Sequence, residues 1–190
     1  MKNFELDNDK LLFMEAPAPL LITSDRYIKN CNNAFLKLFG YEREDLIGEL
    51  AFILYPTPID FHKVGEQIWD CLQTHDTYED ERFMQHKNRE VFWAKSRGVT
   101  LTPKTPLKFI IWHFERAHET SDIQLKLTPR EREICSYIVN GMTSRDTGKA
   151  LKISHRTVEL HRSHIFKKLN VKNAVDLISR IVQTKGSFGS

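Results

Sequence analysis

Cysteine is scarce and scattered. Cys31, Cys71 and Cys135 lie far apart and form no CxxC pair, which argues against a disulfide framework or a cysteine zinc site and for buried thiols in a reducing compartment. Long apolar runs are missing: none approaches the roughly 18 residues that a membrane helix needs. The opening MKNFELDNDK is mixed and acidic, unlike a secretory signal, so a cytoplasmic protein is expected. Catalytic signatures are missing too: there is no P-loop, GxGxxG, HExxH or nucleophile elbow, and no enzyme is expected. Proline stops at Pro129, so nothing beyond it breaks a helix.

What is present is a globular composition, 28% charged and 41% hydrophobic over 190 residues. The net charge of +3 conceals an asymmetry. Residues 126–190 hold 13 Lys and Arg against 5 Asp and Glu, a balance of +8, which leaves −5 for the first 125. An acidic front and a basic back imply two domains with different partners, and the back suits a polyanion. A solvated charged face is the plainer alternative.

The last 65 residues carry four helix starts. In LTPRERE, Thr128 fits an N-cap, Pro129 the first helical position and Glu131 a capping box. Thr143 caps a short helix reaching about Leu151, Ser154 caps the stretch that follows, and Asn173 caps AVDLISRIVQT. Two short helices joined by a tight turn at 151–154 make a helix-turn-helix. In ISHRTVELHRSHIFKKL, Val158, Ile165 and Leu169 share the apolar side, while Glu159, Arg162, Ser163 and Lys167 show on the other. About 15 residues give a helix of roughly 22 Å, which fits lengthwise in a major groove about 12 Å wide.

The LTPREREI opening, the ISHRTV turn and the HIFKKL close resemble the DNA-binding domain of the LuxR/FixJ family of bacterial transcription regulators, over about 125–185. Thr147 and Gly148 depart from that pattern, where an aliphatic residue and Ala are usual, and Gly costs a helix about 1 kcal/mol. The resemblance implies phosphate contacts for Thr128 and Thr157, and base-facing positions for Glu159, Leu160 and Ser163. Arg156, Arg162, Lys167 and Lys168 are close enough for phosphates or guanines. Glu159 suits a cytosine N4 donor and Leu160 a thymine methyl. Plainer readings put Leu160 partly in the core and leave Lys168 as a solvated charge. His155, His161 and His164 do not converge, and no metal site is expected. Such units usually dimerise to read two half-sites. The last helix, with Val175, Leu177, Ile178 and Ile181, is core with a dimer role implied by the family.

The front half alternates differently. Strand-like runs at 20–23 and 27–31 flank Ser24-Asp25-Arg26, and a helix starting at Asn32-Asn33 ends at Gly40. An amphipathic helix follows at 60–73 with Val64, Ile68 and Leu72 on one face, then three strands at 78–85, 90–101 and 107–116. This is an α+β plan. NNAFLKLFGYEREDLIG and the hairpin ERFMQHKNREVFWAKS resemble a PAS domain, over about 10–117. The expected fold is therefore an α+β PAS domain, an antiparallel sheet with flanking helices, followed by an all-α four-helix LuxR-type helix-turn-helix domain. The expected boundaries are 1–118, a linker at 119–125, and 126–190.

PAS domains often hold a small organic ligand between sheet and helices. Leu21, Phe35, Phe39, Phe52, Ile68, Leu72, Phe83, Trp93 and Trp112 are the candidate lining, each of which the core could equally claim. Ala94, Ser96 and Gly98 on one strand face leave room for a ligand. The GELAFILYP segment lacks the cysteine of flavin photosensors, and His62 is out of step with a haem ligand, so neither cofactor is expected.

These readings converge on a one-component DNA-binding regulator. Its PAS domain would sense a small organic effector, dimerise, or both, and double-stranded DNA and, for an activator, RNA polymerase would be its partners. An alternative makes the PAS domain a constitutive dimerisation or protein-docking module. A sigma-factor-like polymerase subunit would need a promoter-melting helical domain, and the front half reads as β-rich instead.

Overall fold

A computed structural model describes residues 8–116 and 127–177. Helix α1 (Asn8–Glu15) precedes strands β1 (Leu20–Ser24) and β2 (Tyr27–Cys31) and helix α2 (Asn33–Phe39). Two 3-10 turns, Arg43–Asp45 and Ala51–Leu54, lead into α3 (Pro58–Leu72). Strands β3 (Thr77–Gln85), β4 (Val91–Thr100) and β5 (Ile110–Arg116) follow, then α4 (Pro129–Val139), α5 (Ser144–Leu151) and α6 (His155–Leu169). Residues 174–177 are helical.

The five strands form one antiparallel sheet in the order β2-β1-β5-β4-β3. Local chemistry sets the boundaries. Asn32 caps α2 by accepting from the Phe35 backbone, and its side-chain amide also ties down the chain at Ala16 and Ala18. Helix α3 starts two residues earlier than its apolar rhythm suggests, because Thr57 caps it and Pro58 occupies its first position. Val64, Ile68 and Leu72, spaced four apart, point at the sheet. Strand β5 starts at Ile110 rather than 107, since the preceding residues turn back through Thr102 and Thr105. Helix α1 was not expected from the sequence; it buries none of its residues.

Two apolar cores result. One lies between the sheet and α2 and α3, with Phe35 and Phe39 stacked 4.5 Å apart at its centre. The other unites the three C-terminal helices with Phe83, Val91 and Trp93 from the outer face of the sheet. Alternation along β4 explains the division: Val91 and Trp93 face outward, Phe92 and Ala94 inward. The expected linker lies outside the described residues, as do Ile178 and Ile181.

Candidate DNA-reading face and sensor cavity

Helix α5 ends at Lys152 in the left-handed conformation, and Ser154 opens α6 by accepting from the Thr157 backbone. This is the tight turn of a helix-turn-helix. Val158, Ile165 and Leu169 are buried in the domain core, with Leu151 and Ile153 packed against it. The other side of α6 is open. Arg156, Thr157, Glu159, Ser163 and Lys167 are exposed, and Leu160 is 57% exposed. A leucine displayed at that level among polar neighbours has no place in this core. Arg162 is half-buried, its guanidinium 5.6 Å from the Phe166 ring.

Two of the expected phosphate contacts are engaged within the domain. The Thr128 hydroxyl completes the capping box with Glu131. Lys168 donates to the same Glu131 carboxylate at 2.7 Å. Glu131 is 4% exposed. Burial opposes its charge, but the bonds from Lys168 and Thr128 outweigh it and hold the carboxyl below its ordinary range. Lys168, itself exposed, ties the end of α6 to the start of α4 through this bond. The i, i+3 capping-box spacing was readable; the partner 37 residues away was not.

In the front domain a small cavity of about 30 Å³ opens among β1, the Ala51–Leu54 turn, α3 and the inner faces of β3 and β5. Of the nine expected lining residues, Leu21, Ile68 and Trp112 line it. Phe35, Phe39 and Leu72 sit in the solid core. Phe52 lies 38% exposed against the edge of Phe61. Phe83 and Trp93 pair across β3 and β4 on the opposite face of the sheet, so they pack against the C-terminal helices instead. A signal for this was present: VFWA is apolar without alternation, the mark of a strand covered on both faces. The small residues of β4 do not leave ligand space either. The Trp112 ring fills the gap at Gly98, where a Cβ would come within 2.5 Å of it. Ser96 is bonded to Arg82 and Asp80.

Sequence reasoning missed the polar lining altogether. Arg26, Arg82, Tyr55 and Thr23 join the apolar wall. Arg82 is 8% exposed, paired with Asp80 at 2.7 Å and donating to the Tyr55 hydroxyl at 3.0 Å. Their positions in otherwise strand-like or turn-like segments carried no periodic signal.

His62 is exposed on α3, and no group of three metal-binding side chains occurs among the described residues. Cys31 and Cys135 are buried, and burial pushes the Cys135 thiol up to about 12, so it is inert packing. Cys71 is only half-buried. No described helix is long and apolar enough to cross a membrane.

A sheet-and-helix sensor fold joined to a helix-turn-helix defines the class of a DNA-binding regulator. The comparisons agree: residues 17–114 match the PAS domain family, and residues 125–181 match bacterial regulatory proteins of the luxR family. The chain belongs to the PAS domain family through residues 17–114, and it carries behind that domain the DNA-binding domain of the luxR family of bacterial regulatory proteins. A solved PAS domain of a LuxR-family transcriptional regulator from Burkholderia thailandensis, in complex with ethanol, is 36% identical. The match covers 56% of this chain and 95% of that one, with a TM-score of 0.55. The sensor protein TdiS of Thauera aromatica is 28% identical over 80% of this chain and 25% of its own length. The transcriptional regulatory protein TdiR of the same organism is 39% identical over 33% of this chain and 27% of its own. The chain therefore spans about a quarter of the length of these curated relatives.

Proposed function

We propose that this chain is a one-component regulator in which the PAS domain binds a small organic ligand and forms a homodimer. Occupancy of the cavity would shift the balance between arrangements that do and do not present two recognition helices at half-site spacing. The observation that carries this reading is the polar-and-apolar cavity on the inner face of the same sheet whose outer face packs on the helix-turn-helix. Anything that moves those strands moves the platform beneath α4. The ethanol held by the Burkholderia PAS domain supports a small ligand here. The exposed row of Glu159, Leu160 and Ser163 supports base reading, with Arg156, Thr157, Arg162 and Lys167 on phosphates. Thr128 would add a contact only by leaving Glu131, whereas the exposed Lys168 ammonium keeps further N–H donors for a phosphate while holding Glu131. RNA polymerase is the expected further partner of an activator, and the proposed sites for DNA lie wholly in residues 128–168.

Native mass spectrometry of the purified chain tests ligand and dimer together. A dimer with no bound or bindable small molecule would favour a constitutive docking module. DNA binding by the full chain is expected to weaken steeply with salt, each phosphate neutralised adding about −0.9 to the log–log slope. Glu159→Ala is expected to change base preference, by about 1–3 kcal/mol at one position, more than general affinity. Equal loss of preference at every position would show that Glu159 does not read a base.

A further inference from the structure

Two guanidinium groups line the cavity, and among the described residues only one of them has a carboxylate at ion-pair distance. Arg82 is matched by Asp80. Arg26, half-buried on the same wall, has no carboxylate partner among the described residues. One guanidinium nitrogen donates to the Phe61 carbonyl at 2.5 Å, and the group stacks on the Phe61 ring with its carbon 3.4 Å from the centroid. The guanidinium also makes a side-chain hydrogen bond to the Tyr55 hydroxyl. Burial works to strip its proton, and Tyr55 beside it works to retain it.

Three features show that the fold accommodates this side chain. Asp25 and Arg26 are the two central residues of the β1–β2 turn, at φ 50° and 67°. Glycine is the usual second residue of such a turn, and an arginine there costs about 1–2 kcal/mol. Helix α3 presents Gly65 beneath the guanidinium: a Cβ at that point would lie 2.2 Å from an Arg26 nitrogen. Finally, the Tyr55 hydroxyl accepts from Arg82 and from Arg26 and donates to no described group, so its proton is available to a ligand beside both guanidinium groups.

We infer that the cavity binds a small carboxylate, held by Arg26 and the Tyr55 hydroxyl with its carbon chain against Ile68, Met84 and Trp112. This rests on the small-ligand reading above and names the class of ligand. A guanidinium fork pairs with a carboxylate through two parallel bonds, and a hydroxyl donor adds a third. A neutral alcohol of equal size would satisfy at most one or two of these groups and leave Arg26 uncompensated. The cavity volume of about 30 Å³ is that of two or three waters at roughly 10–15 Å³ each, so only the smallest carboxylates qualify, and propionate marks the upper end to be probed.

The test uses the full chain with propionate and 1-propanol as probes, at ionic strength held constant with sodium chloride. Ligand-observed NMR reads affinity, and thermal melting reads folding. Propionate is expected to bind more tightly than 1-propanol. Arg26→Gln is expected to weaken propionate by about ten- to a hundredfold, the range of a charge-assisted bond. Gly65→Ala is expected to do the same without touching the ligand, by displacing Arg26, while melting no lower than the parent because Ala is the better helix former. If 1-propanol binds as well as propionate, the carboxylate assignment falls and the small-ligand reading stands. If neither binds, both fall. Propionate binding unchanged in Arg26→Gln would overturn the anchor.

Discussion

Thr147 is wholly enclosed in α5, and its hydroxyl has no hydrogen-bond partner among the described residues. A buried, unpaired hydroxyl costs about 1–3 kcal/mol. Valine has nearly the same shape without the oxygen. Thr147→Val is therefore expected to stabilise the chain, raising its melting midpoint by about 2–4 °C for each kcal/mol recovered. A lower midpoint would mean that the hydroxyl is satisfied in solution. Glu159 is the contrasting residue: it is exposed on α6 beside the exposed Arg156 and Lys167. On the proposed reading, an acid there lowers general affinity for phosphates and gains discrimination among bases.

Elements bring a different arithmetic, because one residue can serve its helix badly and its neighbour well. Gly148 reads as a weak helix former where Ala is usual, and propensity alone predicts that Gly148→Ala gains about 1 kcal/mol. The structure reverses the sign. A Cβ at 148 would sit 2.8 Å from the Ile153 carbonyl oxygen and 3.3 Å from the His155 backbone nitrogen. The Gly148 carbonyl itself accepts from the Ile153 backbone at 2.9 Å, closing the turn. Room for a methyl must come from backbone, and overpacking costs about 1–3 kcal/mol. Gly148→Ala is expected to lower the melting midpoint; a rise would show that the turn yields freely. The same distinction governs what the sequence disclosed. Caps and faces were legible, since Thr128, Thr143, Ser154 and Asn173 act on residues three or four away, and apolar spacing places Val64, Ile68 and Leu72 on one side. Contacts across the fold were not. The pairing of Phe83 with Trp93 depends on strand register, and one residue of offset decides which face they take. The Lys168–Glu131 tie and the Arg26–Gly65 fit depend on tertiary distances that no local pattern encodes.

At the scale of the whole molecule, the two domains meet along a seam with an apolar and a polar part. Phe83, Val91 and Trp93 share a core with the C-terminal helices. Beside it, Asn140 at the end of α4 donates from its amide to Asp60 of α3 at 2.6 Å, and Arg132 approaches Glu90 at 3.7 Å. Asp60 is mostly buried there, and burial raises its pKa despite bonds from Asn140 and Thr57 and the field of Arg82. A carboxyl whose folded pKa lies above its unfolded value binds its proton more tightly when folded. Folding then carries a cost at pH well above the folded value, and the cost is relieved as pH falls through it. Asp60→Asn has the shape of the neutral acid and keeps an oxygen for the Asn140 amide, while the Thr57 hydroxyl can rotate to accept where it now donates. The variant is expected to melt above the parent at pH 8. Its advantage should shrink as pH falls through the raised value toward the ordinary carboxylate range. The measurement is the difference in melting midpoint between the two chains across that window, at constant ionic strength. A variant that melts lower at pH 8 would mean that attraction to Arg82 outweighs desolvation, and that the ionised carboxylate helps hold the seam.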